Sequence, residues 1–249
     1  MHTITTTVFA ALMLALPTVA QALTPAEVLA KADAIQKSDT AHILMEQTIT
    51  TTSGATRTFR IESWSKGGDD QSVMRFISPA PSAGIGMLSL EGGDVMWAYF
   101  PDSDDLRKIA SSARNGSMEG SDFSYEDMSG GSWEDDWTTT EMVDEDLNGR
   151  SCHKLTATPK GNSSYSKMVA WVDAETFVTH QVHYLDKKDR HVKTLEMSGW
   201  EQISGTWTPR EMVMHNLKRG SQTAIKMIEV AYGVEVQDSL FTTDFITSM

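Results

Sequence analysis

Residues 74–128 read MRFISPAPSAGIGMLSLEGGDVMWAYFPDSDDLRKIASSARNGSMEGSDFSYEDM. Three short runs in this stretch, Met74–Ile77, Met87–Leu90 and Val95–Phe100, are rich in aliphatic and aromatic side chains. Pro, Gly, Asp and Ser separate them, which is the pattern of successive antiparallel strands. They lead into a long polar loop, and the stretch carries no catalytic motif.

Upstream, one helix is expected. Thr24 is placed to cap it, with Pro25 at the first helical position and Glu27 three residues after the cap. Val28, Leu29, Ala32 and Ile35 then form one apolar stripe, running to about Ser38. From His42 the period changes to two. Strands are predicted at 42–52, 56–66, 71–78, 86–91, 95–101, 105–111, 150–159, 165–173, 176–186, 191–200, 207–218 and 222–232, divided by turn formers such as Gly92-Gly93-Asp94 and Lys160-Gly161-Asn162. Hairpin spacing without intervening helices indicates a meandering antiparallel sheet.

Alternation separates an apolar face from a wet one. Phe59 and Ile61 oppose Arg60 and Glu62, Leu195 and Met197 oppose Thr194 and Glu196, and Met212 and Met214 oppose Glu211 and His215. In 95–100 both sides are apolar, so the parity of Trp97 and Tyr99 against Met96 and Phe100 stays open. One short helix hardly covers so large an apolar face, so the sheet either curls on itself or is filled by something else. A curled sheet of this size encloses a ligand-sized cavity. The expected fold is therefore mainly β (α+β): a curved antiparallel sheet forming a half-open barrel around a hydrophobic cavity, with an N-terminal helix and a short helical or loop lid. The candidate cavity lining is Phe59, Ile61, Met74, Phe76, Leu88, Leu90, Trp97, Tyr99, Leu195, Met197, Met212 and Met214. The 15 Met residues suit either a wall that adapts to varied apolar shapes or ordinary core filling.

Formal net charge is −13, which argues against nucleic acid as a partner, because phosphate binding requires clustered Lys and Arg. Residues 115–149 hold Glu119, Asp122, Glu126, Asp127, Glu134, Asp135, Asp136, Glu141, Asp144, Glu145 and Asp146 with no Lys or Arg. The string from Asp144 to Gly149 resembles the start of a calcium loop, yet Leu155 stands where the bidentate Glu belongs, so a turn between strands is the plainer reading. His180 and His183, three apart in a strand, point to opposite faces and do not share a metal. No nucleophile elbow, zinc motif or phosphate loop occurs, so no catalytic residue, metal site or cofactor is assigned and the chain is read as a non-enzyme. Arg107, Lys108 and Arg114 form a small basic group that either pairs with Asp102, Asp104 or Asp105 or meets a lipid headgroup at the cavity mouth.

Residues 1–22 have the form of a secretory signal peptide: an apolar run from Val8 to Leu16, then Pro17 and the ending Ala20-Gln21-Ala22, with cleavage expected after Ala22. No Cys follows closely for acylation, so export to the periplasm in released form is expected, with residues 23–249 as one domain. The single Cys152 permits no intramolecular disulfide.

Several of these residues carry a resemblance. Met74–Pro79, Trp97–Pro101, Arg107-Lys108-Ile109 and above all Gly120-Ser121-Asp122-Phe123-Ser124-Tyr125-Glu126-Asp127 resemble the outer-membrane lipoprotein-sorting group of the LolA-like superfamily. Trp171-Val172-Asp173 and Lys193-Thr194-Leu195 also fit. The resemblance implies a half-open barrel with a helix-capped apolar concavity that holds lipid or acyl chains, transient membrane contact, and an inner-membrane exporter of the RND/MMPL type as partner. It places Arg107, Arg114, Asp122, Phe123 and Tyr125 on a loop at the cavity rim. The resulting expectation is a soluble carrier of a lipid or acylated molecule between envelope membranes. The alternative is a non-enzymatic interaction or sensor module that docks on an envelope transporter or a protein segment.

Overall fold

The protein is described from a computed structural model over residues 22–129 and 131–248. The expected signal peptide lies outside the described residues except for Ala22.

Helix α1 spans Pro25–Ala34. The Thr24 hydroxyl accepts from the Glu27 amide at 3.3 Å, and the Thr24 amide donates to the Glu27 carboxylate at 2.7 Å. This reciprocal cap satisfies two of the amides that a helix start leaves unpaired. The helix stops short of the predicted Ser38. The Ile35 carbonyl instead accepts from the Trp207 amide at 2.8 Å, which ties the helix end to a small hairpin of β12 (Glu201–Ile203) and β13 (Thr206–Thr208).

The remaining strands are β1 (Thr40–Thr50), β2 (Thr56–Lys66), β3 (Gln71–Ser78), β4 (Gly86–Leu90), β5 (Val95–Phe100), β6 (Asp105–Lys108), β7 (Trp137–Leu147), β8 (Arg150–Pro159), β9 (Tyr165–Asp173), β10 (Thr179–Asp186), β11 (His191–Ser198), β14 (Glu211–Asn216) and β15 (Ser221–Tyr232). They form one 13-stranded sheet in the order β6-β5-β4-β3-β2-β1-β15-β14-β11-β10-β9-β8-β7. All neighbours are antiparallel. Register shifts at Leu44/Met45, Arg60/Ile61 and Tyr184/Leu185 add twist and bend the sheet into a trough. The fold is mostly β, one large curved sheet that does not close into a barrel, with few helices.

Two expectations are corrected. The strand read over 207–218 divides into β13 and β14, because Pro209 between them has no amide to offer a ladder. The acidic stretch 115–149, read as loop, ends in the long strand β7. Its side chains are largely exposed because it is an edge strand, so it lacks the apolar alternation that marks the others. The calcium-loop-like string is the β7–β8 hairpin turn. Asn148 and Gly149 take φ of 54° and 83°, and Asp146 Oδ1 accepts from the Gly149 amide at 2.7 Å.

The two edge strands, β6 and β7, are consecutive in the chain. Residues 109–136, here called the strap, therefore run from one edge of the trough to the other and cross its open side. The strap ends in a single helical turn, α2 (Trp133–Asp136). The last residues, with α3 (Thr243–Thr247), cover the outside of the sheet over β3 to β5.

Candidate functional site

The concave wall brings together most of the predicted lining. Phe59, Ile61, Met74, Phe76, Leu195, Met197 and Met214 are buried in one cluster, with Met212 packed against it. Val28, Leu29 and Ala32 of α1 and Met118 and Phe123 of the strap belong to the same cluster. The interior that the sequence reads as a cavity is thus occupied by the protein's own strap and helix.

Leu88, Leu90, Trp97 and Tyr99 are corrected to the opposite face. They pack on the convex side with Val73 beneath Val236, Leu240, Phe241 and Ile246 of the C-terminal segment. Pairing of Met87 with Ala98 and of Leu88 with Trp97 fixes this parity, so Met87, Met96 and Ala98 face inward. Strand β5 looked apolar on both sides because both of its sides are covered.

The strap folds back on itself as a short hairpin, with Met118 N–H donating to the Phe123 carbonyl at 3.1 Å and Tyr125 N–H to the Gly116 carbonyl at 3.0 Å. Its tip, Glu119–Asp122, reaches across the trough to β15. There the buried Asp122 carboxylate accepts from Ser221 Oγ at 2.6 Å and Thr223 Oγ1 at 2.9 Å, while the Asp122 amide donates to Thr223 Oγ1 at 2.9 Å. Arg219, in the β14–β15 turn, donates to the Ser121 and Gly120 carbonyls at 3.1 Å each. Arg57 of β2 donates to the Glu119 carbonyl at 3.2 Å. Gly120 has φ of +78°, which favours glycine, and a Cβ there would stand 2.7 Å from Arg57 Nη2 and push that guanidinium aside.

Further along, the carboxylate of Asp127 accepts from Ser124, from Tyr165 Oη at 2.8 Å and from Lys193 Nζ at 2.6 Å. Its side chain is only 3% exposed. Burial, and then the adjacent Asp127 charge, push the Tyr165 hydroxyl far above the usual phenol range, so it stays a proton donor to that carboxylate. Glu126 accepts from Ser163 and Ser164, and Ser132 binds Asp33 of α1. The strap is thus tied to β2, β9, β11, β15 and α1.

Of the five residues expected at the rim, Asp122 and Phe123 are buried anchors and Tyr125 is partly buried against the core. Arg107 pairs with Asp105 and lies 5.0 Å from the Phe100 ring centroid, and Arg114 donates to the Asp94 carbonyl at 2.5 Å. Ser221, Thr223 and Arg219 were not singled out from sequence, and Lys193 entered only as part of the resemblance, with no role assigned. A signal existed for two of them, since Ser221 and Thr223 share the inward parity of Ile225.

Beside the strap lies a cleft of about 340 Å³ lined in part by Arg114, Glu126, Asp127, Trp133, Asp136, Trp137, Tyr165 and Tyr184. Partial burial, then the carboxylates of Asp135, Asp94 and Asp33, raise the Asp136 carboxyl above its ordinary range. Among the described residues no group of three or more His, Cys, Asp or Glu side chains is arranged to hold a metal ion, and no helix is long and apolar enough to cross a membrane.

No functionally curated protein matches the sequence. Three of the matching solved structures illustrate the fold. A DUF1329 family protein from Desulfovibrio piger is 29% identical, with 89% of this chain and 97% of that one covered at a TM-score of 0.84. An outer membrane lipoprotein-sorting protein domain from Vibrio parahaemolyticus is 24% identical, covering 89% and 97% at 0.81. A LolA superfamily protein from Nitrosomonas europaea is 20% identical, covering 90% and 100% at 0.78. A family model described as "uncharacterized protein" matches residues 68–248, a span that includes the whole strap and all but two strands of the sheet. The chain belongs to that family, and its strapped, half-open sheet is a LolA-like fold.

Proposed function

We propose that this protein is a periplasmic carrier that takes the acyl chain of a lipid or lipidated molecule onto the concave wall and passes it between envelope membranes. One observation carries the reading: a continuous apolar wall is covered by a segment that lays Met118 and Phe123 on it and is fastened at its ends and tip through polar side chains rather than by strand pairing. Many of these ties end on the carboxylates of Asp122, Glu126 and Asp127, so water replaces each of those at a net cost of about 1.5–3 kcal/mol, and an incoming acyl chain offsets that cost when the strap swings away. An acyl chain that replaces Met118 and Phe123 gains about 0.8 kcal/mol for each methylene removed from water. Loading and release are then a shift between strapped and open states, biased by whichever membrane or partner favours the open one. No bond is made or broken in this cycle, in keeping with a non-enzyme.

Membrane contact is assigned to one end of the trough. Leu217, 52% exposed, and Lys218 and Arg219 form the β14–β15 turn. Lys187, Lys188 and Arg190 lie in the adjacent β10–β11 turn; Asp186 pairs with Arg190 and Lys218, and the excess of cations over Asp186 and Asp189 leaves this end of an otherwise acidic protein locally basic and suited to anionic headgroups.

Native mass spectrometry and lipid extraction of protein purified from its own periplasm test the carrier reading. Co-purifying amphiphile and uptake of fluorescent fatty acids are expected. Protein that is repeatedly free of amphiphile and takes up no fatty acid overturns the proposal.

A second reading, docking of a protein partner such as an RND/MMPL-type exporter, is favoured by β7. Glu141, Asp144 and Asp146 are exposed along it, and it is an edge of the sheet. Cross-linking from Asp136 tests this; Asp122 is buried and cannot report. A pure carrier retains lipid when the β7 carboxylates are neutralised, whereas a docking module loses its partner.

A further inference from the structure

Strand β1 directs Met45, Gln47 and Ile49 onto the concave wall. Gln47 is 0% exposed, and neither its amide oxygen nor its amide nitrogen has a hydrogen-bond partner among the described residues. Its cross-strand neighbours are Phe59 on β2 and Ile225 on β15, both members of the apolar cluster. A primary amide held in such a place opposes folding, because it has given up its bonds to water and received none in return. Met or Leu would fill the same volume without that loss, so stability does not explain the choice. The strap does not use the group either. Its polar tip hangs on Thr223 and Ser221, and Thr223 pairs with Ile49, one inward position along the wall from Gln47.

We propose that Gln47 is the polar anchor of the carrier's ligand and that it reads an acyl amide. A trans secondary amide presents its carbonyl and its N–H on opposite edges, so Gln47 meets one of the two at a time. Either the Gln47 Nε2–H donates to that carbonyl or Oε1 accepts from that N–H, and of the three linkages the amide is the strongest acceptor and the one that also donates. An ester offers only the acceptor, and an ether offers a weaker one. The inference rests on the carrier reading. It adds where along the wall the acyl linkage stops, with the hydrocarbon continuing over Phe59, Ile61 and Met74.

Three amphiphiles with the same chain and the same hydroxyethyl head separate these cases: N-(2-hydroxyethyl)dodecanamide, 2-hydroxyethyl dodecanoate and 2-dodecyloxyethanol. Each is titrated against a fluorescent fatty acid bound to the intact protein. Wild type is expected to favour the amide over the ether by up to about tenfold, the upper worth of one neutral hydrogen bond, with the ester between them. Gln47→Met is expected to melt at a higher temperature and to bind all three alike. If wild type binds the three alike, the anchor is refuted while the carrier reading stands. If Gln47→Met melts higher yet keeps the ranking, Gln47 is an ordinary buried amide and the anchor is again refuted. If wild type takes up none of the probes, the carrier reading itself fails.

Discussion

On the concave face, Asp122, Glu126 and Asp127 hold the strap to Ser221, Thr223, Ser163, Tyr165 and Lys193 through hydrogen bonds and one buried ion pair. On the convex face, Val236, Phe241 and Ile246 press on Val73, Leu88 and Tyr99, and Phe245 meets the Trp64 ring edge to face at 6.1 Å. Its polar ties are few, among them Lys66 with Asp238 and Thr40 Oγ1 with the Val234 carbonyl at 2.7 Å. The same sheet thus carries two covers of different chemistry. The convex seal is lost only by exposing its whole apolar area to water, whereas the strap's polar ties can exchange partners for water and its Met118 and Phe123 contacts can be taken over by an acyl chain. The convex cover is built to stay, and the concave cover is built to open.

The largest expected effect therefore lies away from the proposed site. Phe241→Ala should destabilise the protein by about 3 kcal/mol in urea unfolding and leave fatty acid affinity unchanged. A strong loss of affinity in the folded variant would erase the distinction between the covers. Asp122→Ala comes next, at about 2 kcal/mol, since the buried Ser221 and Thr223 hydroxyls lose their acceptor. Unlike the first variant it should also speed probe uptake in stopped flow, because the strap tip is released. Gly120→Ala should cost about 1 kcal/mol by straining a tip at φ of +78°. It should speed uptake in the same direction, and slower uptake would contradict the anchoring role of the tip.

The smallest effect concerns pH. Burial, then the stacked His191 ring 4.0 Å away, lower His183 from 6.5 to about 4. Between these values the unfolded chain binds the proton that the folded chain refuses, so this group's contribution is complete above about pH 6.5 and lost as pH falls toward 4. With His183 only half-buried, the loss should be on the order of 1 kcal/mol. His183→Phe should shrink the stability difference between pH 7.5 and pH 5 in urea titrations. An unchanged difference would assign the acid sensitivity elsewhere.

Much of this contrast was legible in sequence, and the failures have physical causes. Strands β2, β3, β8 and β9 were read to the residue because alternation and turn formers agree there. The convex cover left no periodic signal, since Val236 and Phe241 sit in irregular chain and Ile246 in a five-residue helix too short to show a period, and without it the parity of Trp97 and Tyr99 could not be assigned. Strand β7 was missed because an exposed acidic edge looks like a loop. The Gly120–Asp127 string was recognised as a fixed element but placed at the rim. Its burial depends on Ser221, Thr223, Arg219 and Lys193, some 70 to 100 residues away, and a polar residue on an inward parity is the one trace they leave.

The central claim, that ligand enters by displacing the strap and leaves the convex cover in place, is tested most directly by amide hydrogen exchange with and without a saturating fluorescent fatty acid. Faster exchange at Met118, Ser121, Asp122 and Tyr125 on loading, with Phe241 and Ile246 unchanged, is the predicted result. Unchanged strap amides in the loaded protein, or faster exchange at Phe241 and Ile246 instead, would contradict it.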